Sequence, residues 1–292
     1  MFFFPNQKTP ILFQGITSAM GRYQTELALS YGTNLVAGVS QEITGKLGSI
    51  PLYSSVAKAM RAKKVQVSVV FSTPQKALSD VLEAIKAKIP LIICTTEHVP
   101  MHDSLKMKLA ADQAGVTLLG PSSAGILNVG HAVAGTIPTH LFSAGSIAIV
   151  GRSSSLMFEA VQQLSEAGLG VSQCVSLGAD HLIGASFIPV IECLYADTAT
   201  KAILVIGQVH GTLEQELASF YQKNHPKKMF VYIPGKTLAR SDKHPLLGMK
   251  SVLFSDVIQE KKTLFKKANA CWIDSPDEIG KQILKEYKRK KK

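Results

Sequence analysis

Residues 146–163 read SIAIVGRSSSLMFEAVQQ, and this stretch decides the class of the whole chain. Ile147, Ala148, Ile149 and Val150 form a short apolar run with β-branched residues, the mark of a buried strand in a parallel sheet. Gly151 and Arg152 break the run. Ser153, Ser154 and Ser155 then lead into a helical pattern with Leu156, Ala160, Val161 and Leu164 on one face. A strand feeding a helix whose first turn is serine leaves backbone N–H groups and hydroxyls converging on one spot. That spot lies at the positive end of the helix dipole and suits an anion, phosphate above all. The plainer alternative is that Ser153 or Ser154 only caps the helix, and the stretch taken alone favours the cap.

The same strand–turn–helix rhythm runs outward in both directions. Towards the N-terminus, residues 10–14 predict a first strand, followed by GITSAMG at 15–21, a helix through Tyr31, and a second strand at 35–39. The turn is a G-x-x-x-x-x-G, not the strict G-x-G-x-x-G, but it serves the same purpose of bringing backbone amides to a diphosphate. Helices are predicted at 54–62, 74–88 and 101–114, and strands at 65–71, 91–95 and 116–119. Residues 120–145 are rich in Gly and Pro without a clear period and read as the crossover between domains. Beyond the opening stretch, strands are predicted at 171–177, 202–206, 229–233 and 271–273. Helices are predicted at 186–195, 213–223, 257–268 and 276–287, with an irregular loop at 235–250. The fold class is α/β with two parallel, doubly wound sheets, divided as 1–123 and 124–292.

Composition bounds what such a chain does. Its 292 residues suffice for two domains with real cores, and 46% hydrophobic with 7% aromatic residues fits sheets built on Val, Ile, Ala and Leu. No apolar run approaches the roughly 18–20 residues of a membrane span. The start, MFFFPNQKTP, has no basic segment ahead of an apolar one, so no signal peptide is expected. Cys94, Cys174, Cys193 and Cys271 are scattered without C-x-x-C spacing, which predicts reduced thiols and a cytoplasmic location. The formal charge is +11, of which Lys288, Arg289, Lys290, Lys291 and Lys292 carry five, leaving +6 on the body. No basic–aromatic interleaving accompanies it, so neither a nucleic acid nor a membrane is an expected partner. A modestly basic body does suit small polyanions.

In this order the motifs add up. QGITSAMG with LALSYGTNLVAGV, LEAIKAKIPLIICTTEHVP, GVTLLGPSSAG, the opening stretch, and ILVIGQVHGTLEQE followed by VYIPGKT resemble the succinyl-CoA synthetase α-subunit family. More widely they are similar to the CoA-binding and ligase domains of the nucleoside-diphosphate-forming acyl-CoA synthetases. The resemblance runs from about residue 9 to 280 and implies a Rossmann-like CoA-binding domain followed by a flavodoxin-like one. It further implies that CoA sits on Thr17, Ser18, Ala19 and Met20, with Thr95, Thr96 and Glu97 beside it. Where the family has a CoA-binding lysine after the second strand, this chain has Glu42 and Ile43, with Lys46 beyond, which weakens the expected grip on phosphate.

The resemblance also implies a mechanism in which a histidine is phosphorylated between two helix N-termini, one from this chain and one from an ATP-grasp β-subunit. Ser153, Ser154 and Ser155 match the α-subunit's cradle, which turns the balance from cap to anion site. The reacting groups differ. The family's histidine position falls on Leu246, its orienting glutamate on Gln208 and its substrate-associated tyrosine on Phe158. Its Gly-Gly falls on His210 and Gly211, and its Asn-Cys on Ser122 and Ser123. His244 is the nearest histidine, but two extended residues span about 7 Å while in-line transfer needs about 3–3.5 Å. His98 and His102 have a helical metal spacing interrupted by Pro100 and no third ligand, so no metal is expected. Three readings stay open: a diverged CoA-binding α-subunit homologue without its own phosphohistidine, a working ligase subunit, and a non-enzymatic scaffold.

Overall fold

A computed structural model describes residues 2–43, 45–235 and 254–289. The first layer contains β1 (Ile11–Gln14), α1 (Ala19–Ser30), β2 (Leu35–Val39), β3 (Gly45–Leu47), β4 (Ile50–Tyr53), α2 (Val56–Ala62), β5 (Val67–Val70), α3 (Pro74–Lys86), β6 (Leu91–Cys94), α4 (Met101–Ala114) and β7 (Thr117–Leu119). Its strands form one sheet in the order β3-β4-β2-β1-β5-β6-β7. Order reverses between β1 and β5, so the C-terminal ends of these two strands frame a crevice of the kind where open α/β sheets bind ligands.

Side chains alternate across this sheet as the period of two requires. Phe13, Val69 and Ile93 point to one face, while Leu12, Val70 and Ile92 point to the other, where α2, α3 and α4 cover them. The first face is continuous with the core of the second sheet through Ile126, Val133 and Ile137. The two domains are therefore joined by packed apolar surface. Thr33 fastens them further: its Oγ1 donates to the Val133 carbonyl at 3.1 Å and accepts from the Val133 amide at 3.0 Å.

The second layer contains β8 (Gly125–Asn128), β9 (Ala132–Gly135), β10 (Ala144–Gly151), α5 (Ser154–Glu166), β11 (Val171–Ser176), α6 (Phe187–Ala196), β12 (Ala202–Ile206), α7 (Leu213–Lys223), β13 (Lys228–Tyr232), α8 (Phe254–Lys267), β14 (Cys271–Trp272) and α9 (Ile279–Arg289). The sheet order is β14-β13-β12-β10-β11-β8-β9. The buried residues of α5 are Met157, Ala160, Val161 and Leu164, so Met157 fills the place expected of Leu156.

Two expectations need correction. The sheets are not wholly parallel: β3 runs antiparallel to β4, and β8 runs antiparallel to both β11 and β9. Residues 120–145 are also no bare crossover, because β8 and β9 form a hairpin that extends the second sheet. The glycines that suggested a loop are there for close approach. A Cβ on Gly125 would stand 2.0 Å from the Ala134 carbonyl oxygen, and one on Gly135 would stand 2.2 Å from that of Ala124. No described helix is long and apolar enough to cross a membrane.

Candidate functional site

In the first domain the candidate site is the turn from β1 to α1. Gly15 has φ +69°, and a Cβ there would meet the Phe71 carbonyl oxygen at 3.0 Å, so the turn can pass that close only as glycine. Ser18 is the N-cap of α1, its Oγ accepting from the Gly21 amide at 3.0 Å. Ser18, Ala19 and Met20 are exposed, and the Ser18 N–H donates to the Gly15 carbonyl at 3.0 Å. Thr17 is half-buried, and its Oγ1 shares a 3.1 Å hydrogen bond with Ser40 Oγ. Ser40 in turn accepts from the amides of Glu42 at 3.3 Å and Ile43 at 3.2 Å, so one hydroxyl ties the β1 turn to the β2 loop. Glu42 and Ile43 are exposed beside the turn, and Lys46 lies exposed on β3.

The loop after β6 is built differently from what its sequence suggests. Thr95 Oγ1 donates to the Val70 carbonyl and Thr96 Oγ1 to that of Ser72, both at 2.8 Å. These hydroxyls lock neighbouring strand ends together, the Thr95 amide and Thr96 carbonyl are bonded to Val70 and Ser122, and Glu97 is exposed. Glu97 and His98 both act electrostatically on Asp180, which places this loop against the second domain. Cys94, behind it, is buried, and that burial pushes its thiol up to about 11.

In the second domain the loops after β10, β11 and β12 meet, because these strands are neighbours in the sheet. Ser153 is the N-cap of α5 by position, yet its side chain makes no capping hydrogen bond. Ser154 Oγ lies 3.3 Å from Ser176 Oγ, and Ser155 is exposed. The plain cap is therefore not the role of these serines, and the amides of the first turn lack a side-chain acceptor from them. Phe158, on the same helix, is half-buried against the core.

Arg152 is 1% exposed. Its Nε donates to the Gly178 carbonyl at 3.4 Å and its Nη2 to that of Asp180. Burial lowers its pKa, opposed by the charges of Glu214 and Asp180. Gln208 stands over it: Nε2 donates to the carbonyls of Ala179 at 3.1 Å and Arg152 at 3.4 Å. The other amide atom, Oε1, is buried without a partner among the described residues.

Beneath Gln208 is an ion pair that the sequence did not announce. Glu214 and Lys261 are both 0% exposed and meet at 2.7 Å. Glu214 Oε1 accepts from the Gln208 amide, and Lys261 donates to the Gln208 carbonyl, both at 2.9 Å. The pair holds both sides of that residue's backbone. At the mouth, the rings of His181 and His210 lie with centroids 4.3 Å apart, tilted at 41° to each other. Lost hydration, and after it the neighbouring His181, Arg152 and Lys261, push the His210 pKa down to about 4. Leu246 and His244 lie outside the described residues. Among the described residues no three His, Cys, Asp or Glu are grouped to hold a metal.

Comparison with known proteins places both domains in known families. Residues 6–98 match the model of the CoA binding domain, and residues 144–279 match that of the succinyl-CoA ligase like flavodoxin domain. The α-subunit 2 of ADP-forming succinate–CoA ligase from Archaeoglobus fulgidus is 36% identical over 236 residues, covering 80% of this chain and 81% of that protein. The α-subunit of the same ligase from Methanothermobacter thermautotrophicus is 34% identical over 280 residues, with 95% and 94% covered. In fold, the chain superposes on ATP citrate lyase from Methanothrix soehngenii with a TM-score of 0.82 at 21% identity, covering 99% of this chain and 51% of that one. The chain thus belongs to the succinate–CoA ligase α-subunit family, with an N-terminal CoA-binding domain and a C-terminal flavodoxin-like domain.

Proposed function

We propose that this chain is a diverged α-subunit that binds CoA on the β1–α1 turn but does not pass phosphate through a histidine of its own. The observation that carries this is Gln208. Its Nε2 donates to two carbonyls and its Oε1 has no partner among the described residues, at the position where the resemblance puts the carboxylate that holds the family's histidine. A neutral amide offers a dipole there, and its only N–H donors are already engaged. What supports the CoA side of the reading is a glycine that passes close to a neighbouring strand, a capped helix, and the exposed start of α1 at Ala19 and Met20, where a pyrophosphate would sit.

A second reading, a working ligase subunit with an ATP-grasp β-subunit, has one observation in its favour. The first turn of α5 lacks a side-chain cap from Ser153 and lies next to the buried cation Arg152, which is a cradle suited to a phosphoryl group. On either reading the CoA site is the same.

Calorimetric titration of the full chain with CoA tests the shared part. Binding is expected, and Thr17→Asp is expected to abolish it by placing a carboxylate against the pyrophosphate and breaking the Thr17–Ser40 link. Unchanged affinity in that variant would put CoA elsewhere.

A further inference from the structure

The first sheet has a second edge, at the strand ends away from the β1–α1 turn, and three segments of the chain bring six cations to it. Strand register sets three of them in one row. The Gln66 amide donates to the Pro10 carbonyl at 2.9 Å and the Leu91 amide to that of Gln66 at 3.3 Å, so residues 10, 66 and 90 stand level at the starts of β1, β5 and β6. Lys8, Lys64 and Lys88 each lie two residues before those positions, in neighbouring loops whose strands are about 4.8 Å apart. Arg61 and Lys63, at the end of α2, and Lys86, in the last turn of α3, flank the row. All six are exposed, and none forms an ion pair among the described residues.

Nothing nearby balances this charge. Glu83, one turn back on α3, has its Oε1 turned to the Val56 amide at 2.9 Å, and Asp112 pairs with Lys108 at 3.0 Å. Glu26 is on α1, whose Ala28 packs on the opposite face of the sheet from Ala59 of α2 and Ala84 of α3. Five of the 32 Lys and Arg follow Tyr287 and six are on this edge, which leaves 21 against the 21 Asp and Glu. The whole positive surplus of the body therefore sits here. Lys88 also has φ +56°, just past the end of α3, where glycine is the usual residue in this left-handed conformation. A charged side chain stands where the backbone favours none.

What the edge lacks decides its partner. None of the large exposed apolar side chains among the described residues belongs to it. The core of a protein–protein interface is apolar and depleted of charge, and stable attachment to a bilayer adds buried apolar area to charge. Single strands are held by aromatic stacking. A duplex asks only for cations at its phosphates. We propose that this edge binds the phosphate backbone of a double-stranded nucleic acid, without reading its sequence. No basic–aromatic run announces such a partner, because the charge comes from three separate segments that only the sheet assembles. The inference stands apart from the CoA reading, since the edge shares no residue with the β1–α1 turn.

Fluorescence anisotropy of the full chain with a labelled duplex tests it, once as DNA and once as RNA. Two unrelated sequences should bind alike. Affinity should fall by about 10³-fold between about 50 and 200 mM salt, the counterion release of about six phosphate contacts. The triple variant Lys63→Glu, Lys64→Glu, Lys88→Glu should bind at least about 100-fold more weakly at low salt. All three side chains are exposed, and an unchanged circular dichroism melt shows that the fold is intact. Binding of either duplex with that loss supports the proposal, and the tighter duplex names the source of the phosphates. Neither duplex binding at micromolar protein would overturn it, as would equal competition by poly-glutamate or by phosphatidylserine vesicles at matched charge. Unchanged affinity in the triple variant, with binding lost instead when the five basic residues after Tyr287 are replaced by serine, assigns the contact to the tail and also overturns it. Failure of CoA to bind in its own titration would count against the proposed function and leave this surface standing.

Discussion

Lys261→Met is expected to lower the stability of the protein by about 3–5 kcal/mol, the cost of breaking a buried ion pair from one side. Lys261 and Glu214 are both 0% exposed and 2.7 Å apart, so removing the ammonium leaves a carboxylate shut off from water and without its ion-pair partner. The loss does not end there, because Lys261 also donates to the Gln208 carbonyl at 2.9 Å. That carbonyl would be left short of a donor, and the loop carrying Gln208 and His210 would loosen. Urea unfolding followed by circular dichroism measures the effect as a lower midpoint at unchanged slope. The double variant Lys261→Met, Glu214→Leu should recover much of the loss, since apolar replacement of both partners removes the uncompensated charge. A drop below about 1 kcal/mol for Lys261→Met alone would place the pair among ordinary surface contacts.

That ion pair also marks where the sequence stopped being readable. Lys261 stands in QEKK, a run indistinguishable from the solvated face of a helix, and only the meeting of α7 with α8 makes it interior. The opening stretch was legible because a run of β-branched residues, a glycine break and a helical period all agree. Its strand extends to Ala144–Gly151 and its helix begins at Ser154. What the serines do there was not legible, since a cap and an anion cradle share one sequence and differ in where a hydroxyl points. The hairpin of β8 and β9 was hidden by its own glycines, which read as breakers and in fact let two backbones touch. Arg152 was seen only as the end of a strand. Its burial follows from three loops closing over it, from strands that are adjacent in the sheet but far apart in sequence. His181 and His210, in contact across two of those loops, were out of reach for the same reason.

Incubated with ATP and the ATP-grasp β-subunit of a relative, the unaltered chain is expected to take up no acid-labile, base-stable phosphate. Transfer through histidine needs an imidazole nitrogen in line with phosphorus and a carboxylate that fixes its tautomer and offsets its developing charge. The resemblance puts Leu246 at the family position of the nucleophile and Gln208 at that of the carboxylate, and the proposed function rests on that match. Losing a nucleophile and its orienting base together should place labelling about 10³-fold or more below that of a histidine-bearing relative. Leu246→His alone should not rescue it. Nor should Gln208→Glu alone, for a reason visible in the site. The Gln208 Nε2 lies 3.1 Å from the Ala179 carbonyl and 3.4 Å from that of Arg152. A glutamate in that place would set a carboxylate oxygen against two carbonyl oxygens, so the loops over Arg152 are now shaped for an amide. Recovery therefore requires both substitutions and a shift of the 178–180 loop. Mass spectrometry under alkaline conditions gives the readout. If the unaltered protein carries phosphohistidine, and either His244→Ala or His210→Ala removes it, then a displaced imidazole performs the transfer and the chain is a working ligase subunit.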